Sequence, residues 1–241
     1  MRKVLALSLS DAKNISRDTI LILILFGPVA IFFLLRYLIP VATDYLQAEM
    51  AFDLTEHYLY IVCFMSLIPT QLFGFIFGLL ILEERDEEII AFIAVTPLQK
   101  TGYLTYKLLA STLMSFAFFF IVVYGTGLTT IPLKYASILA LLVAFEAPIG
   151  SLFLAAYAEN KVEGMAYSKI LGLMYIAPVI VFFFDTNWHY FAAFLPPFWV
   201  AKAFIAAKAD AQIFWIYIVL GTLVHAGIIL FLLRKFLNNQ R

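Results

Sequence analysis

Hydrophobic residues in this chain form long runs rather than the alternating patterns of soluble helices and strands. A membrane-spanning helix needs about 20 mostly apolar residues in succession, and six runs reach that length. The pattern therefore predicts an all-α integral membrane protein. Its six predicted spans, in chain order, are Thr19–Ile39, Tyr58–Leu82, Leu108–Ile131, Ala136–Ala158, Tyr167–Phe184 and Ile213–Leu233.

Composition agrees with a membrane location and limits the partners of the chain. Hydrophobic residues make up 64% of the 241 residues and charged residues 13%, against about 45–50% and about 25% in soluble domains. The 16 basic and 16 acidic residues balance, so there is no overall positive charge to attract nucleic acid. We therefore expect a multi-pass protein of the cell membrane, surrounded by the lipid bilayer, with no nucleic-acid partner.

The distribution of Lys and Arg predicts the orientation, because these residues are enriched in cytoplasmic segments. A cytoplasmic N-terminus puts twelve of the 16 basic residues on the inner side, and both termini are then cytoplasmic. The same parity excludes a seventh span between Phe191 and Ala207, which Pro196-Pro197 would interrupt. We predict instead an extracytoplasmic, re-entrant helical hairpin over 185–212, in the outer leaflet and packed against protein.

Residues 1–18 predict an amphipathic helix on the inner membrane surface. On a helical wheel Leu9 and Ile15 share an apolar face, whereas Asp11 and Lys13 lie on the polar face. Basic amphipathic helices bind the membrane interface. The alternative is that this stretch only flanks the first span.

Sequence motifs for catalysis are absent, and six spans leave no room for a soluble domain. The chain has no G-x-x-x-x-G-K-[ST] phosphate loop, no H-E-x-x-H zinc motif and no G-x-S-x-G nucleophile elbow. We predict a single transmembrane domain over 1–241 with no catalytic residue, no metal site and no cofactor of its own. Another protein must then supply any energy source.

The cytoplasmic segment 83–103, between spans 2 and 3, carries the most informative pattern. It opens with EERDEE, of net charge −4, and continues with Ile89 and Ile93 at helical spacing. Thr96-Pro97 should end this helix, because the residue before a proline avoids the α conformation. An apolar stripe on this side should contact protein. It packs either on helix ends of the same chain or on a cytoplasmic partner.

Four stretches together resemble the permease subunits of ABC-2 type exporters, including those connected with fluoroquinolone export. One departure is that Asp86-Glu87-Glu88 stand where the family usually has Gly-Thr after the acidic pair. The resemblance covers essentially the whole chain. Its four stretches, in chain order, are DAKNISRD, the acidic run with VTPL and YLTYK, AENKVEGMAYSK and LPPFWVAKA.

The resemblance implies a function and a set of partners. Such permeases work as two copies, or as two homologous permeases, on two copies of a separate ABC ATPase subunit that binds ATP and Mg. The substrate moved outward would be hydrophobic or amphiphilic: a drug, a lipid or a peptide. The segment after span 2 is the family's coupling helix, seated in a groove of the ATPase. By position, the residues implied in that contact are Glu83, Glu84, Arg85, Glu87, Thr96 and Pro97.

Polar residues inside the predicted spans are candidates for the translocation path. Glu146 lies about midway through span 4, His225 at similar depth in span 6, and Gln71 in span 2. Charged residues at this depth generally face protein, so Glu146 and His225 could meet. Glu146 either contacts a cationic substrate or helps open the outward path, or it is a neutral carboxyl hydrogen-bonded to a neighbouring helix.

Prolines and aromatic residues before span 6 form a candidate outer gate: Pro196, Pro197, Phe198 and Trp199. The aromatic residues of this region also fit an interfacial belt. For the whole chain, the alternative function is a secondary transporter or a channel-like protein that is not coupled to ATP. That class is typified by inverted repeats or several polar spans, and the sequence shows neither.

Overall fold

The computed structural model describes residues 2–184 and 187–239, and the regular elements within them are helical. Residue 1 of the predicted segment 1–18 and residues 185 and 186 of the predicted hairpin lie outside the described residues. Six helices are long and apolar enough to cross a membrane, which confirms the all-α, six-span prediction. These spans 1 to 6 are Thr19–Met50, Leu54–Asp86, Gln99–Gly125, Leu133–Tyr157, Lys161–Phe183 and Phe214–Asn238.

Several spans consist of more than one helical segment. A π-helical stretch, Leu34–Leu38, joins two α-helices in span 1, and 3-10 turns occur at Leu54–His57, Leu173–Tyr175 and Asn187–Ala192. The α-helices are α1 Arg2–Arg17, α2 Thr19–Phe33, α3 Ile39–Met50, α4 Tyr58–Asp86, α5 Ile89–Ala94, α6 Gln99–Gly125, α7 Leu133–Ala144, α8 Glu146–Tyr157, α9 Lys161–Gly172, α10 Ile176–Phe183, α11 Pro196–Lys208 and α12 Phe214–Asn239.

The helix α1 and the last turns of α12 lie at the same end of the helix bundle. Near the N-terminus, Asp11 of α1 binds Lys107 near the start of α6. Near the C-terminus, Phe236 belongs to the same apolar cluster as Ile90 of α5 and Tyr103 of α6. We call this end, with α1 and α5, the terminal end, and the other the distal end.

Span 1 is longer than the sequence predicted. Its end was expected at Ile39, before Pro40, but the helix continues to Met50. Proline has no N–H group, and its ring clashes with the carbonyl group four residues earlier. The wider π-helical turns over Leu34–Leu38 accommodate this conflict without ending the helix.

Span 4 is broken near its middle, at a predicted site residue. The helix α7 ends at Ala144, and α8 begins at Glu146. Pro148 is tolerated in the first turn of α8, whereas in a continuous helix its ring would clash with the carbonyl group of Ala144. Phe145, between the two segments, keeps helical dihedral angles, so the interruption is one residue long, and Glu146 is buried beside it.

Spans 2 and 4 are the most buried spans, and small residues let them approach closely. A Cβ atom at Gly74 would lie 2.6 Å from the carbonyl oxygen of Ala147. At the same crossing the Ser151 hydroxyl donates a hydrogen bond to the carbonyl oxygen of Gly74 at 2.9 Å. Close backbone contact with an interhelical hydrogen bond is typical of membrane helix packing.

The helix α11 is too short to count among the spans. Leu195 before it is extended, and Pro196-Pro197 form its first turn, where a missing N–H group costs little. Most of its residues are buried, and it packs on α12, α10, α4 and α7. The helix α11, between spans 5 and 6, is thus held inside protein, whereas Trp188, Phe191 and Phe194 before it are exposed.

Candidate functional site

A buried charge cluster at the terminal end connects three helices. The ammonium group of Lys107, which is 0% exposed, lies 2.6 Å from Asp11 Oδ1 and 2.9 Å from Glu84 Oε1. Tyr103 donates a hydrogen bond to Glu84 Oε2, and Tyr106 donates to Asp11 Oδ2 at 2.9 Å. The buried charge cluster, Asp11, Glu84, Tyr103, Tyr106 and Lys107, therefore ties α1, the end of α4 and the start of α6 together.

The cluster satisfies the requirement that buried charges be paired and hydrogen-bonded. One ammonium group faces two carboxylates, and each carboxylate also accepts a hydrogen bond from a tyrosine. With both carboxylates ionised its net charge is −1. Leu9 and Asp11 differ in burial, as residues on opposite faces of α1 should, but the polar residue Asp11 is the one buried in protein, which the helical wheel did not predict.

A second group of charges lies beside the first. Lys161, at the start of α9, pairs with Asp18 and, at 2.8 Å, with Glu83 at the end of α4. Asp18 also caps α2, because its Oδ1 accepts hydrogen bonds from the backbone N–H groups of Ile20 and Leu21. Partial burial would raise the pKa of Asp18, but Lys161 and these N–H groups outweigh it and lower the pKa below its ordinary value.

Arg85 binds the end of span 4. Its guanidinium group donates hydrogen bonds to the carbonyl oxygens of Ala155, Ala158 and Glu159 at 3.2, 2.6 and 2.7 Å. The last carbonyl groups of a helix have no hydrogen-bond partners within that helix. Arg85 donates hydrogen bonds to the carbonyl groups at the end of span 4. Span 2 is thereby fixed to span 4.

The residues predicted to dock an ATPase thus differ in how accessible they are. Glu84 is 4% exposed, and Glu83 and Arg85 are occupied within the chain. By contrast, Glu87 and Pro97 are exposed. The helix α5 ends at Ala94, shortly before Thr96-Pro97, and the Thr96 hydroxyl donates to the carbonyl oxygen of Ile93 at 2.7 Å. Their docking role stays a prediction.

The sequence predicted that the acidic run opens the short helix, but the structure shows that it does not. Its first residues complete α4, which ends at Asp86. Glu88 then adopts a left-handed conformation with φ of 59°, at the place where the resembling family usually has Gly-Thr. Left-handed backbone is strained for residues other than glycine. The chain turns there, and α5 follows as a separate helix.

The two faces of α5 have different surroundings. Ile90 and Ile93 are buried in an apolar cluster of this chain. These two residues therefore pack on helices of the same chain and not on a cytoplasmic partner. Phe92 and Val95, at 74% and 84% exposed, point away from the bundle. These exposed apolar side chains, next to the exposed acidic residues 86–88, form a surface that we call the α5 surface.

Glu146 and His225 meet inside the bundle, which the sequence had left open. Glu146 Oε1 and His225 Nε2 lie 3.3 Å apart, although these atoms are not aligned for a hydrogen bond. His225 Nδ1 lies 2.7 Å from the carbonyl oxygen of Gly221. A carbonyl oxygen only accepts, so we assign the proton of that contact to Nδ1.

Two arrangements of protons on Glu146 and His225 leave the pair without net charge. In a neutral ring His225 Nε2 then carries a lone pair, and a protonated Glu146 can donate to it. In the other state a protonated ring faces an ionised carboxylate. Both states have zero net charge. The pair can therefore lie deep in the bundle without an uncompensated charge.

Gln71 belongs to a different place in the bundle. Its Oε1 accepts a hydrogen bond from the hydroxyl group of Tyr175 at 2.9 Å. Both residues line a cavity of about 310 Å³ between spans 2 and 5, together with Ser168. Its lining, as far as the structure describes it, includes neither Glu146 nor His225. The three candidates for the translocation path therefore lie in two places: Glu146 and His225 form a pair, and Gln71 lines a separate cavity.

The candidate gate residues are in the first turn of α11. Pro196, Pro197 and Phe198 are buried, and Trp199 is nearly so. The indole N–H group of Trp199 donates to the carbonyl oxygen of Ala193 at 2.7 Å. These residues therefore fix the turn before α11 to the helix, and their role as a gate stays a prediction.

Sequence reasoning missed the partners that complete the charge clusters. The sequence placed them only within the four resembling stretches: Tyr103, Tyr106, Lys107, Asp18 and Lys161. Their position along the sequence could have indicated that these residues have charged or hydrogen-bonding partners. Each lies at the terminal end of a predicted span, where a charge without lipid headgroups or water needs an opposite charge.

The six apolar helices, with charged side chains paired inside their bundle, define a multi-pass protein of the plasma membrane. Polar groups held within the membrane region are typical of proteins that move solutes or ions across it.

The chain belongs to the Rv2686c-like family of fluoroquinolones export permease proteins, whose model matches residues 11–233. Two relatives are the fluoroquinolones export permease proteins Rv2686c and MT2760, from two strains of Mycobacterium tuberculosis. Each is 28% identical over 240 residues, which cover 98% of this chain and 94% of the relative. No solved structure matches. The matched region begins at Asp11 and so includes both charge clusters.

Proposed function

We propose that this chain is the membrane-spanning permease subunit of an ABC-2 type exporter, driven by ATP hydrolysis on a separate ATPase subunit. The observation that carries the proposal is the α5 surface. Phe92 and Val95 are large apolar side chains that the bundle leaves exposed between two spans. An exposed apolar patch at the edge of a membrane domain is suited to a protein partner. Acidic residues beside it add charge selectivity.

The orientation supports this assignment. With the terminal end in the cytoplasm, twelve of the 16 Lys and Arg residues are cytoplasmic, as the positive-inside rule requires. The α5 surface then faces the compartment that contains ATP. In the same frame α1 lies at the inner interface, and α11 enters the outer leaflet from the extracytoplasmic side.

The charge clusters give the α5 surface a rigid connection to the spans. Glu84 and Arg85 fix the end of span 2, and Lys107 fixes the start of span 3. A displacement of α5 by an ATPase would therefore move both spans. We assign Glu83, Glu84 and Arg85 to this connection, and Glu87, Thr96 and Pro97 to the contact itself.

The substrate class and the assembly follow from the same proposal. The relatives are named for export of fluoroquinolones, and we propose a hydrophobic or amphiphilic substrate for this chain. Spans 1 and 6 are the least buried, which leaves apolar surface for lipid and for a second permease, identical or homologous. Gln71 and the Glu146–His225 pair are the path candidates, and the first turn of α11 is the candidate outer gate.

The test uses the exposed side of α5. The first step is to look for an ABC ATPase reading frame beside this gene. The chain is then co-expressed with that ATPase, and the pair is purified in detergent. Phe92→Asp with Val95→Asp should abolish ATPase co-purification, because two carboxylates replace the apolar contact. Reversing Glu83 and Glu84 would be a poorer test, since it also breaks ion pairs within the chain.

The matched control is Val162→Asp, a residue of α9 at the same end that is 72% exposed. It should leave the complex intact. ATP hydrolysis by the permease alone, or wild-type ATPase recovery with the double variant, would refute the proposal.

A further inference from the structure

A second cavity lies at the terminal end, apart from the one that contains Gln71. Its volume is about 530 Å³, and it is enclosed by α1, α2, α4 and α6. Asp11, Ser8 and Tyr106 line its polar part. The apolar part is formed by Ile22, Leu25, Phe77, Ala110 and Met114, among others. Pockets of about 300–1,000 Å³ hold drug-sized ligands. We call it the α1 groove.

The α1 groove opens on the outside of the bundle. Leu25 of span 1 and Met114 of span 3 both line it and are both exposed. In a membrane protein, exposed apolar side chains on spans face the hydrocarbon of the bilayer. A ligand can therefore reach the groove sideways from the lipid, and its polar part lies toward α1.

The charge of the groove favours a cation. Asp11 is the charged side chain among the described lining residues, while Lys107 and Glu84 lie behind it. The three charges sum to −1 when both carboxylates are ionised. The oxygens of Asp11 each accept one hydrogen bond, from Lys107 and Tyr106, and a carboxylate has about four acceptor positions. Asp11 can therefore accept a further donor.

We propose that the α1 groove binds an amphiphile with a cationic amine, the amine on Asp11 and the apolar body along Phe77, Ala110 and Met114. An anionic lipid headgroup would instead face the carboxylate of Asp11. That the bound ligand then enters the transporter from the lipid rests on the proposed export function. The binding itself requires neither ATP nor the ATPase.

The experiment is photolabelling of the full chain in nanodiscs of neutral lipid. The probe is a long-chain alkylamine that carries a diazirine on its alkyl chain, and labelled residues are identified by peptide mass spectrometry. Its N-acetylated and carboxylate analogues share the same apolar body and differ only in the head group. The amine should label α1, α2 and α6 residues of the groove about tenfold more than either analogue, because a hydrogen bond to a charged group contributes about 1.5–3 kcal/mol.

Two variants separate the head group from the apolar body. Ala110→Phe fills the groove without altering the buried charge cluster and should remove the labelling. Ala117→Phe, two turns further along the same helix and exposed, should not. Asp11→Asn keeps an acceptor for Lys107 and should make the amine and its N-acetyl analogue label equally.

Several results would overturn the proposal. They are equal labelling by all three probes in the wild type, preference for the carboxylate probe, labelling unaffected by Ala110→Phe, or protection of the groove by a second copy of the chain. None of these outcomes depends on ATPase co-purification. Failure of this site is therefore distinguishable from failure of the proposed function.

Discussion

Lys107 is the residue on which the terminal end depends most. Lys107→Met removes the single ammonium group between Asp11 and Glu84 and leaves two buried carboxylates facing each other. Breaking a buried ion pair in this way costs about 3–5 kcal/mol. We expect a clearly lower Tm in detergent, followed by intrinsic fluorescence. Lys100→Met, on the same helix and partly exposed, is the control and should leave Tm nearly unchanged.

A compensating variant tests the cause. Asp11→Asn and Glu84→Gln, added to Lys107→Met, remove all three charges while keeping their volumes, and should recover part of the lost Tm. A Lys107→Met protein as stable as wild type, or a triple variant less stable than the single one, would contradict the assignment of this cluster as a buried ion pair.

Glu146 is expected to be structural. In Glu146→Gln the side-chain amide can donate to His225 Nε2, the atom 3.3 Å from the native carboxyl group. Folding and export should persist, measured as substrate uptake into inverted vesicles that contain the complex. His225→Leu removes the partner of a buried carboxyl group and should destabilise the chain by about 1–3 kcal/mol. Loss of export by Glu146→Gln at unchanged assembly would show instead that its charge or proton is used.

At this scale the sequence predicted positions better than partners. Counting along two spans placed Glu146 and His225 at similar depth, but the sequence does not fix which helices are neighbours, so it left their contact open. The burial of Asp11 was not predicted because a helical wheel treats α1 as isolated, whereas Asp11 pairs with Lys107, which is far away in sequence. Glu84 was assigned to a partner for the same reason. A carboxylate near the end of a span is predicted to be exposed unless the basic residue that pairs with it is known.

Among the elements, the crossing of spans 2 and 4 is the most sensitive to added volume. A Cβ atom at Gly74 would lie 2.6 Å from a backbone oxygen of α8, and backbone cannot move aside cheaply. Gly74→Ala should therefore destabilise the protein by about 1–3 kcal/mol. Gly227→Ala is the control, because a Cβ atom there meets nothing within 4 Å.

Thermal unfolding of the two glycine variants in the same detergent gives the comparison. Equal Tm values for Gly74→Ala and Gly227→Ala would mean that spans 2 and 4 are further apart than in this structure.

The sequence predicts where apolar composition gives way to polar composition along the chain. It does not predict the places where backbone geometry determines whether a helix continues. The existence of all six spans follows from apolar length, but their bounds do not: span 3 runs over Gln99–Gly125 rather than Leu108–Ile131. The continuation of span 1 through Pro40 could not be foreseen, because it depends on π-helical turns that no residue pattern marks. The separation of α5 from α4 depends on the left-handed Glu88, and acidic residues in good helical context concealed it.

For the whole molecule, the orientation is the statement on which the proposed function depends. Cysteine labelling tests it, because the one native cysteine, Cys63, is buried and can be replaced by alanine. In that background, Val95→Cys should react with a membrane-impermeant maleimide in inside-out vesicles only. Trp188→Cys, before α11 and exposed in the native structure, should react in right-side-out vesicles only. The reverse pattern would put α5 outside the cell and remove the basis for ATPase docking.

The buried pair in spans 4 and 6 also has a consequence for biosynthesis. Glu146 is made before His225, and 79 residues separate them. At about 5–20 residues per second, roughly 4–16 s pass before the partner exists. During that interval span 4 must either remain beside the insertion machinery or enter the lipid with its carboxyl group neutralised. Nascent chains stalled before Phe214 should therefore integrate span 4 poorly, and Glu146→Leu should restore its integration.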